Sequence, residues 1–259
     1  MDLGLTGRKA IVCASSRGLG KACAAALARE GADVVINGRS AETLDLAARD
    51  IARTARGSVT PVAADINTAE GRATLIATCP EADILVNNND GPPPGAFQQW
   101  DESHWQAALE ANLLAPVFMI KGLIEGMKER RFGRIVNITS AMVKAPRSAM
   151  GLSTTARSGL TAMAKALSIE VAPFNVTINN MLPERFDTDR QKQMAKLAMA
   201  FKKISYEEAR AEIAASIAAK RMGDPAEFGD ACAFLCSAQA GFISGQNLQL
   251  DGGSYPGLI

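Results

Sequence analysis

The sequence predicts an α/β fold: a single doubly wound parallel sheet of about seven strands, with helices on both faces and a helical lid over one edge. Three observations carry this. Short apolar, β-branched runs alternate with helical stretches along the 259 residues. The runs at 9–14, 83–86 and 134–139 are nearly all apolar, as strands buried on both faces must be. A polar or glycine-rich cluster follows each strand, at 15–20, 37–39, 65, 87–91, 139–140 and 183–188. Parallel strands bring such clusters to one sheet edge, where ligands of open α/β sheets bind. The six clusters are therefore read as one site.

Each element has its own local reason. Residues 9–14 are a buried strand, and Ser15-Ser16-Arg17-Gly18-Leu19-Gly20 turns the chain into an alanine-rich helix over 22–28, stopped by Gly31. Residues 33–37 form the second strand, and Ser40 caps a helix over 41–55. A third strand spans 58–64 and ends at Asp65; a polar helix covers 68–78. The fourth strand, 83–86, runs into Asn87-Asn88-Asn89-Asp90-Gly91 and a stiff Pro92-Pro93-Pro94 loop. Asp101 caps a long helix, bent near Pro116, that continues to about 130. The fifth strand ends at Thr139-Ser140, and a helix follows over 152–172. The sixth strand is 175–181. The lid, 185–222, holds two helical pieces, the second opening on a Ser205…Glu208 capping box. Asp224-Pro225-Ala226-Glu227 starts another helix, and 247–250 is the last strand.

The bulk properties exclude several functions. At 259 residues, one domain spanning 1–259 is the expectation, with no linker or repeat. A formal charge of +1 offers no field for nucleic acid or an anionic membrane. No apolar run approaches the ~20 residues that span a bilayer, and no targeting pattern precedes Lys9. Five cysteines, an odd number sitting largely in strands and helices, suit a reduced, cytoplasmic chain. Cys232 and Cys236 lie one helical turn apart without further ligands nearby, so no metal site is expected. The one histidine, His104, opens the long helix far from any strand end, which argues against a Ser-His-Asp hydrolase.

The glycine turn opens a helix, where free N–H groups and the helix dipole favour a phosphate. After the second strand no acid stands where an NAD binder places a carboxylate for its ribose. Arg39 is there instead, with Arg17 in the glycine turn, and two guanidiniums can clamp a 2′-phosphate. NADP(H) is thus expected over NAD(H).

Together these motifs resemble the short-chain dehydrogenase/reductase family, in its 3-oxoacyl-carrier-protein reductase-like branch, with a Rossmann-type sheet. The family's Thr-Gly-x-x-x-Gly-x-Gly reads Cys13-Ala14-Ser15-Ser16-Arg17-Gly18-Leu19-Gly20 here. The resemblance extends to Asp65 and Ile66, Asn87-Asn88, Asn112, Ser140, and Pro183 with Thr188, and so covers essentially the whole chain. It implies that Ala14, Ser16, Arg17, Gly18, Leu19, Gly20, Asn37, Arg39, Asp65, Ile66, Asn88, Arg157, Pro183 and Thr188 hold the cofactor. It implies that Ser140, Ser153, Arg157 and Asn112 are the catalytic set, acting on a small carbonyl or alcohol substrate. A homo-oligomer, dimer or tetramer, paired through the helices at 101–130 and 152–172, is implied in the same way.

The family's catalytic tyrosine and lysine have no counterpart in this register. Ser153 follows Ser140 by thirteen positions and Arg157 stands four further on, within a frame Ala156-Arg157-Ser158-Gly159-Leu160 that matches the family's Ala-Lys-Ala-Gly-Leu. An alcohol is a far weaker acid than a phenol, and Arg passes no proton onward. Arg157 is expected to hold ribose hydroxyls and favour a developing alkoxide; Ser153 is a candidate proton relay. Asp90 and Glu184 replace family small residues and are candidate acids, Asp90 at the nicotinamide end, if burial raises their pKa. Lys144 and Arg147 are loop charges able to meet an acidic substrate. Tyr206 is reachable only by lid closure, and Tyr255 not at all. Met194, Leu197, Met199 and Phe201 are candidates for an apolar pocket or for core. An NADP(H)-dependent oxidoreductase with atypical proton delivery is the leading expectation. A nucleotide-binding pseudoenzyme and a non-redox dehydratase or epimerase are the alternatives.

Overall fold

A computed structural model describes residues 1–258. The strands are β1 (Lys9–Val12), β2 (Asp33–Gly38), β3 (Val59–Ala63), β4 (Ile84–Asn87), β5 (Gly133–Ile138), β6 (Val176–Pro183) and β7 (Asn247–Leu250). They form one parallel sheet in the order β3-β2-β1-β4-β5-β6-β7. Strand order reverses between β1 and β4, which opens a crevice at their carboxyl ends.

The near-continuous apolar strands are explained by what covers them. Alternate residues face opposite sides of a sheet. Ala10, Val12, Val34, Ile36, Ile84, Val86, Val136 and Ile138 join one core cluster with α1 (Gly18–Arg29), α2 (Ala41–Ala52) and α9 (Pro225–Cys236). Ile11, Cys13, Val35, Leu85, Ile135 and Ile178 join the other, with α3 (Ala69–Thr78), α5 (Ala115–Glu129) and α6 (Gly151–Val171).

The predicted helix over 101–130 is α4 (Glu102–Leu109), a wide π-turn (Glu110–Leu114) and α5, with Asp101 accepting from the His104 N–H at its start. The irregularity lies one turn before Pro116. Proline has no N–H for the Asn112 carbonyl four residues back, and the widened turn accommodates its ring. The helical run Glu102–Glu129 contains an 18-residue stretch with a mean hydropathy of 1.5, long and apolar enough to cross a bilayer by length and composition alone. Its Met119, Ile120, Leu123, Ile124 and Met127 are buried in the sheet's second core, which accounts for the apolar content.

The segment expected as a lid holds α7 (Asp189–Lys202) and α8 (Tyr206–Ala215), with a small core of its own around Ala195, Ala209 and Ile213. The Ser205 and Asp224 capping boxes both form. The cysteines at 13, 23, 79, 232 and 236 are free and buried. Burial pushes the Cys13 thiol up to about 12 and leaves it inert.

Candidate active site

A cavity of about 570 Å³ lies on the carboxyl edge of the sheet and takes lining from all six predicted polar clusters. Its nucleotide end is built on main chain. β1 stops at Val12, and Ala14 turns with φ +44°, a left-handed conformation that favours glycine. Three bonds hold it there: its N–H donates to Asn37 Oδ1 (3.3 Å), Asn88 Nδ2 donates to its carbonyl (3.0 Å), and Ser15 N donates to the Asn37 carbonyl (2.7 Å). The Asn88 bond spans the switch point between β1 and β4. Gly18, at φ +58°, starts α1, so this helix opens in the turn itself rather than at Ala22. Gly20 admits no side chain: a Cβ there would lie 2.5 Å from the Ala14 carbonyl oxygen and 2.7 Å from Asn88 Nδ2.

Asn37 is buried, and its amide also donates to the Val62 and Ala64 carbonyls (3.2 and 3.0 Å), so it knits the ends of β1, β2 and β3. Ser16, Leu19, Asp65 and Ile66 line the cavity beside it. Arg17 and Arg39 reach in from two loops and converge on one oxygen of Asp90, at 3.6 and 3.7 Å. This corrects the placement of Asp90 at the nicotinamide end. Its exposed carboxylate spans the cleft to the two arginines, and the apolar burial that a proton donor needs is absent.

The chemical end is built from side chains bonded to one another. Ser140 lines the cavity, and its Oγ accepts from the Met142 N–H at 3.2 Å. Ser153 and Arg157 lie one turn apart on the buried face of α6, and Arg157 Nε donates to Ser153 Oγ at 3.2 Å. Arg157 Nη1 donates to the Ile138 and Thr139 carbonyls (2.7 and 3.0 Å), and Nη2 meets the Asn89 carbonyl at 3.5 Å. The guanidinium thus ties the ends of β4 and β5 to α6. Burial, and then the nearby Arg190 charge, pull its pKa down to about 10. Most of its donors are spent on the protein, which leaves less for ribose hydroxyls than the sequence suggests.

Beneath this end runs a ladder that sequence reasoning missed. Asn87 donates to Asn137 (2.9 Å), Asn137 to Asn180 (3.0 Å) and Asn180 to Asn247 (2.8 Å), side chain to side chain across β4, β5, β6 and β7. The four are directly opposed in register. The available signal was an asparagine near the same point of four successive strands.

Several candidates lie elsewhere. Asn112 is buried behind the cavity, not in its lining; its Nδ2 lies 3.4 Å from the Asp90 carbonyl, and its Oδ1 has no partner among the described residues. Glu184 accepts from Arg147 Nη2 (2.8 Å) and lines a separate cavity of about 200 Å³ with Tyr255, so it is a paired wall and not a free acid. Tyr206 packs in the lid core, and Lys144 lies over the Tyr255 ring. Met194, Leu197, Met199 and Phe201 do not line the cavity; α7 presents Asp189, Arg190, Gln191 and Gln193 there instead. The amphipathic helix is turned the other way, with Met199 in the lid core and Phe201 in solvent. Arg190 Nη2 donates to the Pro92 carbonyl (3.3 Å), joining lid and proline loop. Pro183 and Thr188 line the cavity as expected, and no metal-binding cluster exists among the described residues.

The family described as enoyl-(acyl carrier protein) reductase matches residues 13–255. The chain belongs to the short-chain dehydrogenase/reductase family. Among relatives of this short-chain dehydrogenase/reductase, the NADPH-dependent reductase BacG of Bacillus subtilis is 33% identical over 97% of this chain and 99% of its own length. The 3-oxoacyl-(acyl-carrier-protein) reductase FabG of Vibrio cholerae is 30% identical over 98% and 99%. Of solved structures, YwfH, an NADPH-dependent reductase involved in bacilysin biosynthesis, superposes with a TM-score of 0.91 at 32% identity, covering 98% of this chain and 100% of that one. The L-sorbose reductase of Gluconobacter frateurii, complexed with NADPH and L-sorbose, gives 0.94 at 28% identity over the whole of both chains.

Proposed function

We propose that this chain is an NADPH-dependent carbonyl reductase in which Ser153, backed by Arg157, takes the place of the family's tyrosine and lysine. The observation that carries the reading is the 3.2 Å bond from Arg157 Nε to Ser153 Oγ. The hydroxyl accepts from a buried cation, so its own proton is free to point into the cavity, and the cation favours negative charge on the substrate oxygen.

The cleft suits the cofactor on its own evidence. Gly18 and Gly20 leave main chain bare at a helix N-terminus, and two guanidiniums already converge on an anion. Ser16, Arg17 and Arg39 would hold the adenosine 2′-phosphate, Asp65 and Ile66 the adenine, and Ala14, Leu19, Asn88, Pro183 and Thr188 the middle and nicotinamide portions. Bound NADPH supplies the hydride. Ser140 holds the carbonyl oxygen, Ser153 gives it a proton and recovers one from solvent, and Arg157 orients Ser153 while anchoring the loop after β4. Asn112 acts from behind, on the Asp90 carbonyl.

For the substrate we put forward a 3-oxoacyl-type ketone whose polar remainder meets Arg190, Gln191 and Gln193. Residues 1–259 work as one domain, with 185–222 as its lid. The protein is read as cytoplasmic, on its free buried thiols, and as a dimer or tetramer, on the exposed Phe118 and Ile169 of the α5 and α6 helices.

One observation favours the second reading, a nucleotide-binding pseudoenzyme: neither tyrosine of the chain lines the cavity. A single assay separates the two. NADPH consumption is followed against ketones, β-ketoesters and diketones, with product identified. Turnover that falls in Ser153→Ala establishes the reductase. Tight NADPH binding without turnover establishes the pseudoenzyme, and product formed without NADPH consumption moves the chain to dehydration or epimerisation.

A further inference from the structure

Arg17 and Arg39 come from different loops, after β1 and β2, yet both point at one oxygen of Asp90, which comes from a third loop, after β4. The three side chains are 66%, 68% and 71% exposed, so water and salt screen the contacts, and the arrangement adds little to stability. It does hold a carboxylate where two guanidiniums converge inside the cofactor cleft. Asp90 has no other ion-pair partner among the described residues. Its main chain is fixed independently: the Asp90 N–H donates to Asn89 Oδ1 at 2.9 Å, and its carbonyl faces Asn112 Nδ2. The carboxylate can therefore leave the arginines while the loop stays in place.

Resting on the NADP reading above, we propose that Asp90 is an internal competitor for the 2′-phosphate: it occupies Arg17 and Arg39 in the empty protein and must be displaced before they can clamp the phosphate. A dinucleotide without the 2′-phosphate has no claim on either arginine and leaves the contact intact. Asp90 is then a specificity-determining residue that weakens NADP(H) selectively and eases release of the spent cofactor. In the bound state its charge also opposes the phosphate through space.

The test uses two probes that carry only the adenosine end: adenosine 2′,5′-bisphosphate and adenosine 5′-monophosphate. Each is titrated by calorimetry against wild type, Asp90→Asn and Asp90→Glu. Asp90→Asn is expected to bind the bisphosphate about three- to tenfold more tightly, as loss of two exposed ion pairs implies, with the monophosphate unchanged within twofold. Asp90→Glu, which keeps the charge, is expected to behave as wild type. NADPH is expected to follow the bisphosphate, and NADH the monophosphate. If wild type favours the bisphosphate but Asp90→Asn leaves its affinity unchanged, or tightens both probes equally, Asp90 is no competitor and this inference falls while the NADP reading stands. If wild type does not separate the probes, the arginine pair is no 2′-phosphate site and both fall.

Discussion

The nucleotide end of the cleft, from Ala14 to Asp65, and the chemical end, from Ser140 to Gln193, face each other across one cavity and are built in opposite ways. The first presents main chain. Apart from Arg17 and Arg39, which reach into the cleft, its side chains either stay small, as at Gly18 and Gly20, or turn inward, as Asn37 does to bind the ends of three strands. The second presents side chains already bonded to the protein: Arg157 to three carbonyls and Ser153, and Ser140 to the turn after it. A main-chain site is indifferent to most substitutions but intolerant of any Cβ in the wrong place. A side-chain site can change its chemistry by exchanging residues, provided that the new ones find partners. The proposed exchange of a tyrosine and a lysine for Ser153 and Arg157 at the chemical end is what that asymmetry would permit.

The difference can be broken or sharpened in five ways, from the largest expected effect downward. Ser153→Ala should lower kcat by about 10²–10⁴-fold, the usual worth of a positioned proton donor, and Ser140→Ala by about 10²–10³-fold, that of a hydrogen-bond donor to the reacting oxygen, with NADPH affinity unchanged. An unaltered rate in Ser153→Ala would remove it from the mechanism. Gly20→Ala pushes a methyl into the Ala14 carbonyl; it should cost about 1–3 kcal/mol in urea unfolding and greatly weaken NADPH in a fluorescence titration. Asn137→Ala leaves an Asn87 donor and an Asn180 acceptor buried without partners, at about 1–3 kcal/mol each. It should lower Tm and disturb the chemical end while sparing adenosine-end binding; equal damage at both ends would show that the ladder serves the whole sheet.

The fourth turns on pH. Desolvation lowers the Arg157 pKa to about 10, so the guanidinium is a cation below that pH and loses its proton above it. Turnover that depends on this cation should hold through neutral pH and fall above about 10. The unfolded chain keeps the proton longer, so above about 10 stability from this one group rises with pH. Loss of activity there, with the fold retained by circular dichroism, would be a local and not a global event. The smallest effect is expected at Ala14. A left-handed alanine costs about 1–2 kcal/mol, and glycine returns part of that through the freer unfolded chain. Ala14→Gly should therefore stabilise by about 0.5–1 kcal/mol and leave NADPH binding nearly unchanged.

Much of this was open to reading in the linear chain. The alternation of strands and helices, the apolar runs and the polar clusters after strands are local properties, set by residue type and period. They located the carboxyl edge and the residues 14, 16–19, 37–39, 65–66, 88, 140, 153, 157, 183 and 188 that line the cavity there. Capping boxes at Ser205 and Asp224 were legible for the same reason, since the cap and the residue three positions on determine them.

What the sequence by itself determined, then, was the sheet, its direction and the edge that carries the site, because periodicity and capping act over a few residues. Tertiary structure decided where the long side chains end up. Asp90 turned to Arg17 and Arg39, Glu184 to Arg147, and Asn112, expected in the catalytic set, lies buried behind the cavity. Of the apolar residues of α7, Ala195 and Met199 joined the lid core and Leu197 and Phe201 faced solvent, leaving arginine and glutamine along the cavity. The physical reason is reach. A charged side chain spans several ångströms and pairs with whatever the folded chain brings near, and neighbours such as Asp90 and Arg39, or Asn87 and Asn137, are far apart in sequence and meet only when the sheet is assembled.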